Sequence, residues 1–351
     1  MELKYHLIYI QHMTIINKAY VINLSHRADR WEEIQKKFAN TGIELIRWDA
    51  VYGKQLDEEI IKYMTTPFCY KFCSYSMIGC WLSHLTLWHH IVENNETNVL
   101  ILEDDAVPVD NFNQLFNEIH PHVPSDWDFL YLGCNGPCDN FAINTKNMNI
   151  KIVNKINDKY AITVPSNFFG LHAYLLTNNG AQKLINDPNI NNASYHIDVY
   201  LSMIKFPKGD IKVYAILPSL IHYSLSQSDN VSNNHPIITN SSLLKKIYVT
   251  NDNSIDYTIN VEIGTIRKSN ISITILTLII FLLSIIIGLI NNKKTTYIYI
   301  VSIGILFILE LNNTTSNNCN FNTIVFDYIV LLTGTLCGIL INDFLYFKFS
   351  Q

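Results

Sequence analysis

Val99-Leu100-Ile101-Leu102-Glu103-Asp104-Asp105 decides the reading of this chain. Four apolar residues end abruptly in three carboxylates. A short, uninterrupted apolar run reads as a strand buried on both faces, which is the habit of parallel sheets. Ligands of open α/β sheets bind beyond the carboxyl ends of their strands. The run therefore delivers three negative charges to the place where chemistry sits. Alternation along a strand puts Glu103 and Asp105 on one face and Asp104 on the other. Two carboxylates on one face repel unless a cation lies between them, and hard oxygen ligands suit Mg²⁺ or Mn²⁺. An acidic turn after a strand is the plainer alternative for the triplet taken alone.

Other stretches fall into order around it. Ala19-Tyr20-Val21-Ile22-Asn23-Leu24 reads as a second buried strand, followed by Ser25-His26-Arg27-Ala28-Asp29-Arg30 and an amphipathic helix from about Trp31 to Ala39. Downstream come Trp48-Asp49-Ala50-Val51-Tyr52-Gly53 and Ile78-Gly79-Cys80-Trp81-Leu82-Ser83-His84. Later still are Gly170-Leu171-His172-Ala173-Tyr174, Gly180-Ala181, Ile197-Asp198 and Ser228-Asp229. In this order the pieces resemble glycosyltransferase family 25, the lipooligosaccharide and collagen galactosyltransferase family, over roughly residues 17–235. The resemblance implies an α/β, GT-A-type, Rossmann-like domain with a mainly parallel sheet. It also implies transfer of a hexose, galactose the expected one, from a UDP-sugar donor to a glycan, protein or lipid hydroxyl acceptor, with inversion and a divalent metal.

Such a transferase holds a nucleotide diphosphate, stabilises it as it leaves and takes a proton from the acceptor. Asp105 is the expected metal ligand. Glu103 serves the metal or the ribose, and Asp104 the sugar or a turn. Asn23, Arg27 and Arg30 follow the first strand, where donor phosphate and base would be met. Arginine's guanidinium fork suits phosphate. Arg30 could instead pair with Asp29 or Glu33 on its own helix. Ser83 and His84 are candidate donor contacts, His84 alternatively a core residue or one that orients a carboxylate. Asp198 is either a helix cap or the base that accepts the acceptor's proton. Asp229 is the second candidate base. His222 is a candidate late metal ligand, although the family often has Gln near this place. A degenerate, membrane-tethered binding or scaffold protein is the rival class, and metal-dependent phosphoester hydrolysis a rival chemistry.

Composition narrows the classes. Charged residues are 16% of 351 and the net charge is −5 with no basic block. A nucleic-acid partner, whose affinity rests on clustered Lys and Arg, is therefore not expected. The charge deficit is concentrated beyond Ile271. Three apolar runs, about 271–290, 295–309 and 323–341, read as two or three transmembrane helices. The expected organisation is a catalytic domain at 17–250, a linker at 251–270 and a membrane region at 271–345. Residues 7–16 do not make a convincing secretory signal, because Gln11 and His12 interrupt the apolar run. The catalytic domain is accordingly expected on the cytosolic side. The seven cysteines are expected as reduced, partly buried thiols, a zinc site of Cys69, Cys73, Cys134 and Cys138 being the alternative. The loop-rich stretch from Leu132 to Thr163 is either a substrate-facing lid or a surface excursion.

Overall fold

The computed structural model describes residues 16–135, 151–165, 168–224, 262–269, 271–290, 293–314 and 321–349. These fall into two compact units. One comes from Met1–Tyr70 and Tyr75–Ser226, the other from Lys71–Ser74 and Gln227–Gln351.

The first unit is α/β. In chain order it holds β1 (Lys18–Asn23), α1 (Ala28–Phe38), β2 (Glu44–Asp49), α2 (Glu58–Met64), α3 (Pro67–Phe72, whose end passes into the second unit), α4 (Tyr75–Glu93), β3 (Val99–Glu103) and β4 (Ala106–Pro108). Then follow α5 (Phe112–Ile119), β5 (Phe129–Asn135), β6 (Lys151–Lys155), β7 (Ala161–Val164), β8 (Phe169–Leu176), α6 (Asn178–Ile185), α7 (Ile197–Tyr200), β9 (Val213–Leu217) and β10 (Ile221–Tyr223). Eight strands make the main sheet in the order β2-β1-β3-β8-β5-β9-β7-β6.

The acidic strand β3 lies inside this sheet. It runs parallel to β1 with Ala19 opposite Leu100 and Ile22 opposite Glu103. On its other side it is antiparallel to β8, Val99 facing Leu176 and Leu102 facing Ala173. The sheet is thus mixed rather than mainly parallel. Only β1–β2, β1–β3 and β5–β9 are parallel, while β8 runs against both neighbours and β7 against both of its own. The sequence misleads here for a physical reason. A buried strand is apolar whichever way its neighbours run.

One face of the sheet carries Ala19, Val21, Leu100, Leu102, Leu130, Leu132, Ala173 and Leu175, packed with Ile34 and Phe38 of α1. Helix α4 is buried along most of its length, from Met77 and Ile78 to Trp88 and Ile91. A helix apolar on nearly all sides belongs in an interior. Its close approach to the chain after β2 needs glycine twice. A Cβ on Gly79 would stand 2.5 Å from the Val51 carbonyl oxygen, and one on Gly53 would overlap the Tyr75 carbonyl. Ser83 reinforces this contact: its Oγ donates to the Gly79 carbonyl at 2.6 Å and accepts from the Val51 N–H at 2.8 Å.

The stretch from Leu132 to Thr163 is not simply a loop. β5 continues to Asn135, and β6 with β7 forms an antiparallel hairpin at the sheet edge. Residues 136–150 lie outside the described residues.

The second unit opens with β11 (Glu262–Ile266) and β12 (Ile271–Thr274), an antiparallel pair. Three helices follow: α8 (Ile275–Ile290), α9 (Lys293–Thr314) and α10 (Phe321–Phe349). The first expected span, 271–290, is therefore corrected. Its first four residues, Ile271-Ser272-Ile273-Thr274, are a strand. The helix that remains has 16 residues, about 24 Å at the α-helical rise and short of a bilayer core. Residues 295–309 lie within α9, whose apolar stretch Ile298–Glu310 is also short. Among the described residues one helix, over Phe321–Lys348, is long and apolar enough to cross a membrane.

Helices α8 and α10 meet through small residues. A Cβ on Gly288 would overlap the Thr335 carbonyl and stand 2.9 Å from the Cα of Gly338, and one on Gly334 would overlap Ser284 Oγ. Ser284 and Gly288, like Gly334 and Gly338, are four residues apart and share a helix face. This is the small-xxx-small packing by which helix backbones approach in lipid.

Candidate active site

The site grows from the carboxyl ends of β1 and β3. Their parallel register sets Ile22 against Glu103, so the next residues, Asn23 and Asp104, emerge side by side. Asn23 Nδ2 donates to Asp104 Oδ2 at 2.7 Å. Arg30 reaches the same carboxylate from the first turn of α1, its guanidinium donating to Asp104 Oδ1 at 2.7 Å with both side chains nearly buried. Arg30, Ile34 and Phe38 form the buried stripe of α1 at intervals of four residues, which is why an arginine points inward. The Arg30–Asp104 pair is neither of the helix-surface pairs weighed above. Asn23 and Arg30 position the acidic turn. Arg27 lies apart, paired to Asp29 at 2.8 Å near solvent.

Asp104 is held by Asn23 and Arg30 while Glu103 lies by His84; the strand ends at Glu103, so the two aspartates form a turn rather than continue the alternation. Glu103 lies 3.4 Å from His84 Nε2 and keeps a third of its side chain exposed. Burial pushes its carboxyl up to about 8, the charges of Asp198 and Asp104 adding and Arg30 opposing. Asp105 is pushed up to about 7, first by burial, then by Glu103 and Asp104. Its Oδ1 is buried and has no hydrogen-bond partner among the described residues. A buried, unpartnered carboxylate oxygen next to a second strained carboxyl is a fitting donor set for a hard divalent ion.

His84 is fully buried and shares a 2.9 Å hydrogen bond with Tyr174 Oη through Nδ1. Trp88 Nε1 donates to the same Tyr174 oxygen at 2.9 Å. Burial holds the imidazole down at about 3, so it is neutral at physiological pH. His84 is thus placed both in the core, against Tyr174, and within 3.4 Å of the Glu103 carboxylate. Ser83, one residue earlier, is buried with its hydroxyl committed to the Gly79 and Val51 backbone. The donor-binding role expected for it is therefore corrected to a structural tie, because no free hydroxyl faces the cleft.

Asp198 stands near the start of α7, where His196 and not Asp198 is the capping residue. Its Oδ2 accepts from the Gly170 N–H at 2.8 Å. Its charge also raises the Glu103 carboxyl and the Tyr131 phenol. Gly170 has a positive φ of 78° and a Cβ there would press on Asn135, so glycine is needed to offer that N–H. His222 lies in β10, opposite Val107 of β4, and the next strand-end N–H, that of Ser224, donates to the Asp105 carbonyl at 2.8 Å. The β4–β10 pairing thus joins the chain just after His222 to the acidic turn. Asp229 lies outside the described residues.

Two residues escape the sequence reading. Tyr131, on β5, buries a hydroxyl that has no partner among the described residues, and its ionisation is raised by burial and by Asp198. Cys80, one helical turn before His84, groups with His84 and Glu103, their ligand atoms all within 4.8 Å of one another. The four-residue spacing of Cys80 and His84 was the available signal. Cys69, Cys73 and Cys134 are each in a disulfide, which corrects the expectation of reduced thiols for these three, while Cys80 and Cys337 are free.

An apo site with these carboxyls holds extra protons. Their ordinary values are 4.5 and 3.8, raised to about 8 and about 7. Above the ordinary values the folded state binds more protons than the unfolded one, so the site's contribution to stability falls as pH rises through 7 to 8. A divalent cation bound by these carboxylates would displace those protons. Mn²⁺ should raise the unfolding midpoint clearly at about pH 8.5 and little at about pH 5.5. Thermal melts at both values check this, and an equal Mn²⁺ shift at the two pH values contradicts the placement.

Fold and cleft together define an α/β enzyme domain with an acidic site at the strand ends. The chain belongs to glycosyltransferase family 25: residues 16–201, more than half its length, match the model of that family, described as glycosyltransferase family 25 (LPS biosynthesis protein). It is 31% identical over 132 residues to a glycosyltransferase 25 family member of Anopheles gambiae, covering 34% of this chain and 22% of that one. It is 24% identical over 212 residues to procollagen galactosyltransferase 2 of Homo sapiens, covering 56% and 32%. A probable inactive glycosyltransferase 25 family member 3 of Rattus norvegicus is 27% identical over 128 residues, covering 33% and 22%. The matched region spans between about a fifth and a third of these relatives.

Proposed function

We propose that the first unit is a metal-dependent, inverting hexosyltransferase that uses a UDP-sugar, with galactose the sugar favoured by the procollagen galactosyltransferase relatives. The observation that carries this is the orphaned Asp105 oxygen beside the raised Glu103 carboxyl. Asp105 and Glu103 are the residues that would hold Mn²⁺ or Mg²⁺, with His222 a third candidate. A bound divalent ion supplies charge neutralisation for the diphosphate.

The chain's own residues supply the rest. Arg30 and Asn23 fix Asp104 and so hold the turn rigid. Asp198, oriented by the Gly170 N–H, takes the acceptor's hydroxyl proton. The bond from the anomeric carbon to the diphosphate breaks as the bond to the acceptor oxygen forms on the opposite face. Tyr131 Oη has an unspent donor for a sugar hydroxyl. A degenerate domain, the rival suggested by the rat relative's name, would have no need of these carboxylates in register.

Asp198→Asn should lower turnover about a hundredfold or more while donor affinity changes little, since a base acts in the transition state. The assay is nucleotide release from a panel of nucleotide hexoses, with and without Mn²⁺. Normal turnover in a destabilised variant would make Asp198 a structural residue only.

For the second unit we propose a membrane tether. Leu282, Leu283, Ile286, Leu336, Leu340 and Phe344 expose large apolar side chains, a surface water does not favour. The disulfides at Cys69 and Cys134 argue for an oxidising compartment around the first unit, against the cytosolic side expected above.

A further inference from the structure

We propose that Cys80 Sγ, His84 Nε2 and Glu103 form a three-ligand site for a thiolate-preferring divalent ion, Zn²⁺ foremost, and that filling it inhibits transfer. The three ligand atoms lie within 4.8 Å of one another, His84 Nε2 and Glu103 Oε1 at 3.4 Å. Ligands of a tetrahedral zinc at bond lengths of about 2.0–2.3 Å are separated by roughly 3.3–3.8 Å, so small side-chain movements close the site. Cys80 and His84 sit one turn apart on the buried helix α4, the spacing that sets two ligands on one helix face.

The second layer of contacts is in place. A metal-bound histidine donates its other ring N–H to a fixed acceptor. His84 Nδ1 has Tyr174 Oη at 2.9 Å, and Trp88 Nε1 holds that oxygen at 2.9 Å. With Nδ1–H donating there, Nε2 presents its lone pair to the cluster. Cys80 is a free thiol while Cys69, Cys73 and Cys134 are oxidised. Binding replaces the protons of the Cys80 thiol and the Glu103 carboxyl, and these are released to solvent.

Hard and soft ions differ in what they want here. A thiolate and an imidazole suit Zn²⁺ and Co²⁺ and are poor ligands for Mg²⁺. Glu103 is common to this site and to the proposed Mn²⁺ position, so one ion excludes the other. Three protein ligands leave one tetrahedral position for water or a phosphate oxygen.

The probe is Co²⁺, titrated into the full chain in detergent with no sugar donor. The expected result is a near-ultraviolet thiolate-to-cobalt charge-transfer band that saturates at one equivalent and is abolished by Zn²⁺. Cys80→Ser should lose the band, and Glu103→Gln should weaken Co²⁺ binding by about tenfold or more, both still unfolding cooperatively in metal-free buffer. Cys337→Ser should keep it. In the transfer assay Zn²⁺ should inhibit the wild type at least about tenfold more strongly than Cys80→Ser. No band in the wild type, or a band that survives in folded Cys80→Ser, overturns the site. Because the band is read without donor, its absence leaves the transferase reading standing, and absence of transfer leaves the band to be judged by itself.

Discussion

Asp105→Asn is expected to reduce Mn²⁺-dependent turnover of a nucleotide hexose by about a hundredfold or more without loss of stability. The side chain keeps its size and loses its charge, so the cation loses its strongest attraction. In the metal-free protein the same change removes a carboxyl whose protonation is raised by burial and by the charges of Glu103 and Asp104. The variant should therefore melt at or above the wild-type temperature above about pH 8, where both raised carboxyls of the wild type are ionised. Parallel melts and metal-dependent nucleotide release separate the effects. A variant that loses turnover only because it unfolds would remove Asp105 from the cation's ligands.

The opposite balance is expected of Arg30→Met. It strips the partner from a carboxylate that is largely out of water, side-chain exposures being 9% for Arg30 and 12% for Asp104. Breaking a buried pair from one side costs about 3–5 kcal/mol, because the remaining charge is stranded. Asn23 still donates to Asp104, which places the expectation near the lower end, about 3 kcal/mol. The double variant Arg30→Met/Asp104→Asn should recover most of that loss, since no charge remains to be stranded. Denaturant unfolding of the singles and the double measures it. A single-variant loss below about 0.5 kcal/mol would mean an exposed, weak pair.

These two expectations come from different depths of reading. Glu103-Asp104-Asp105 was legible because an apolar run followed by three carboxylates has few structural meanings. The inward turn of Arg30 was legible in part. Its spacing with Ile34 and Phe38 marks the buried stripe of α1, but only the β1–β3 register shows Asp104 at its end. Ser83 looked like chemistry because it precedes His84. The close packing of Gly79 on Val51 turned its hydroxyl to the backbone instead. Cys80 and Tyr131 were overlooked, since a thiol and a phenol within apolar runs read as core. The direction of β8 was invisible because a buried strand has no polarity in its pattern. The strand at 271–274 was hidden by the apolar run into which it leads.

The claim at the centre is that the turn at Glu103–Asp105 binds a nucleoside diphosphate through a divalent cation. Calorimetric titration of UDP into the metal-free full chain, with and without saturating Mn²⁺, tests it most directly. The account predicts binding that strengthens at least about tenfold with Mn²⁺ and loses that gain in Asp105→Asn. UDP binding of equal strength with and without Mn²⁺ in the folded wild type would contradict it.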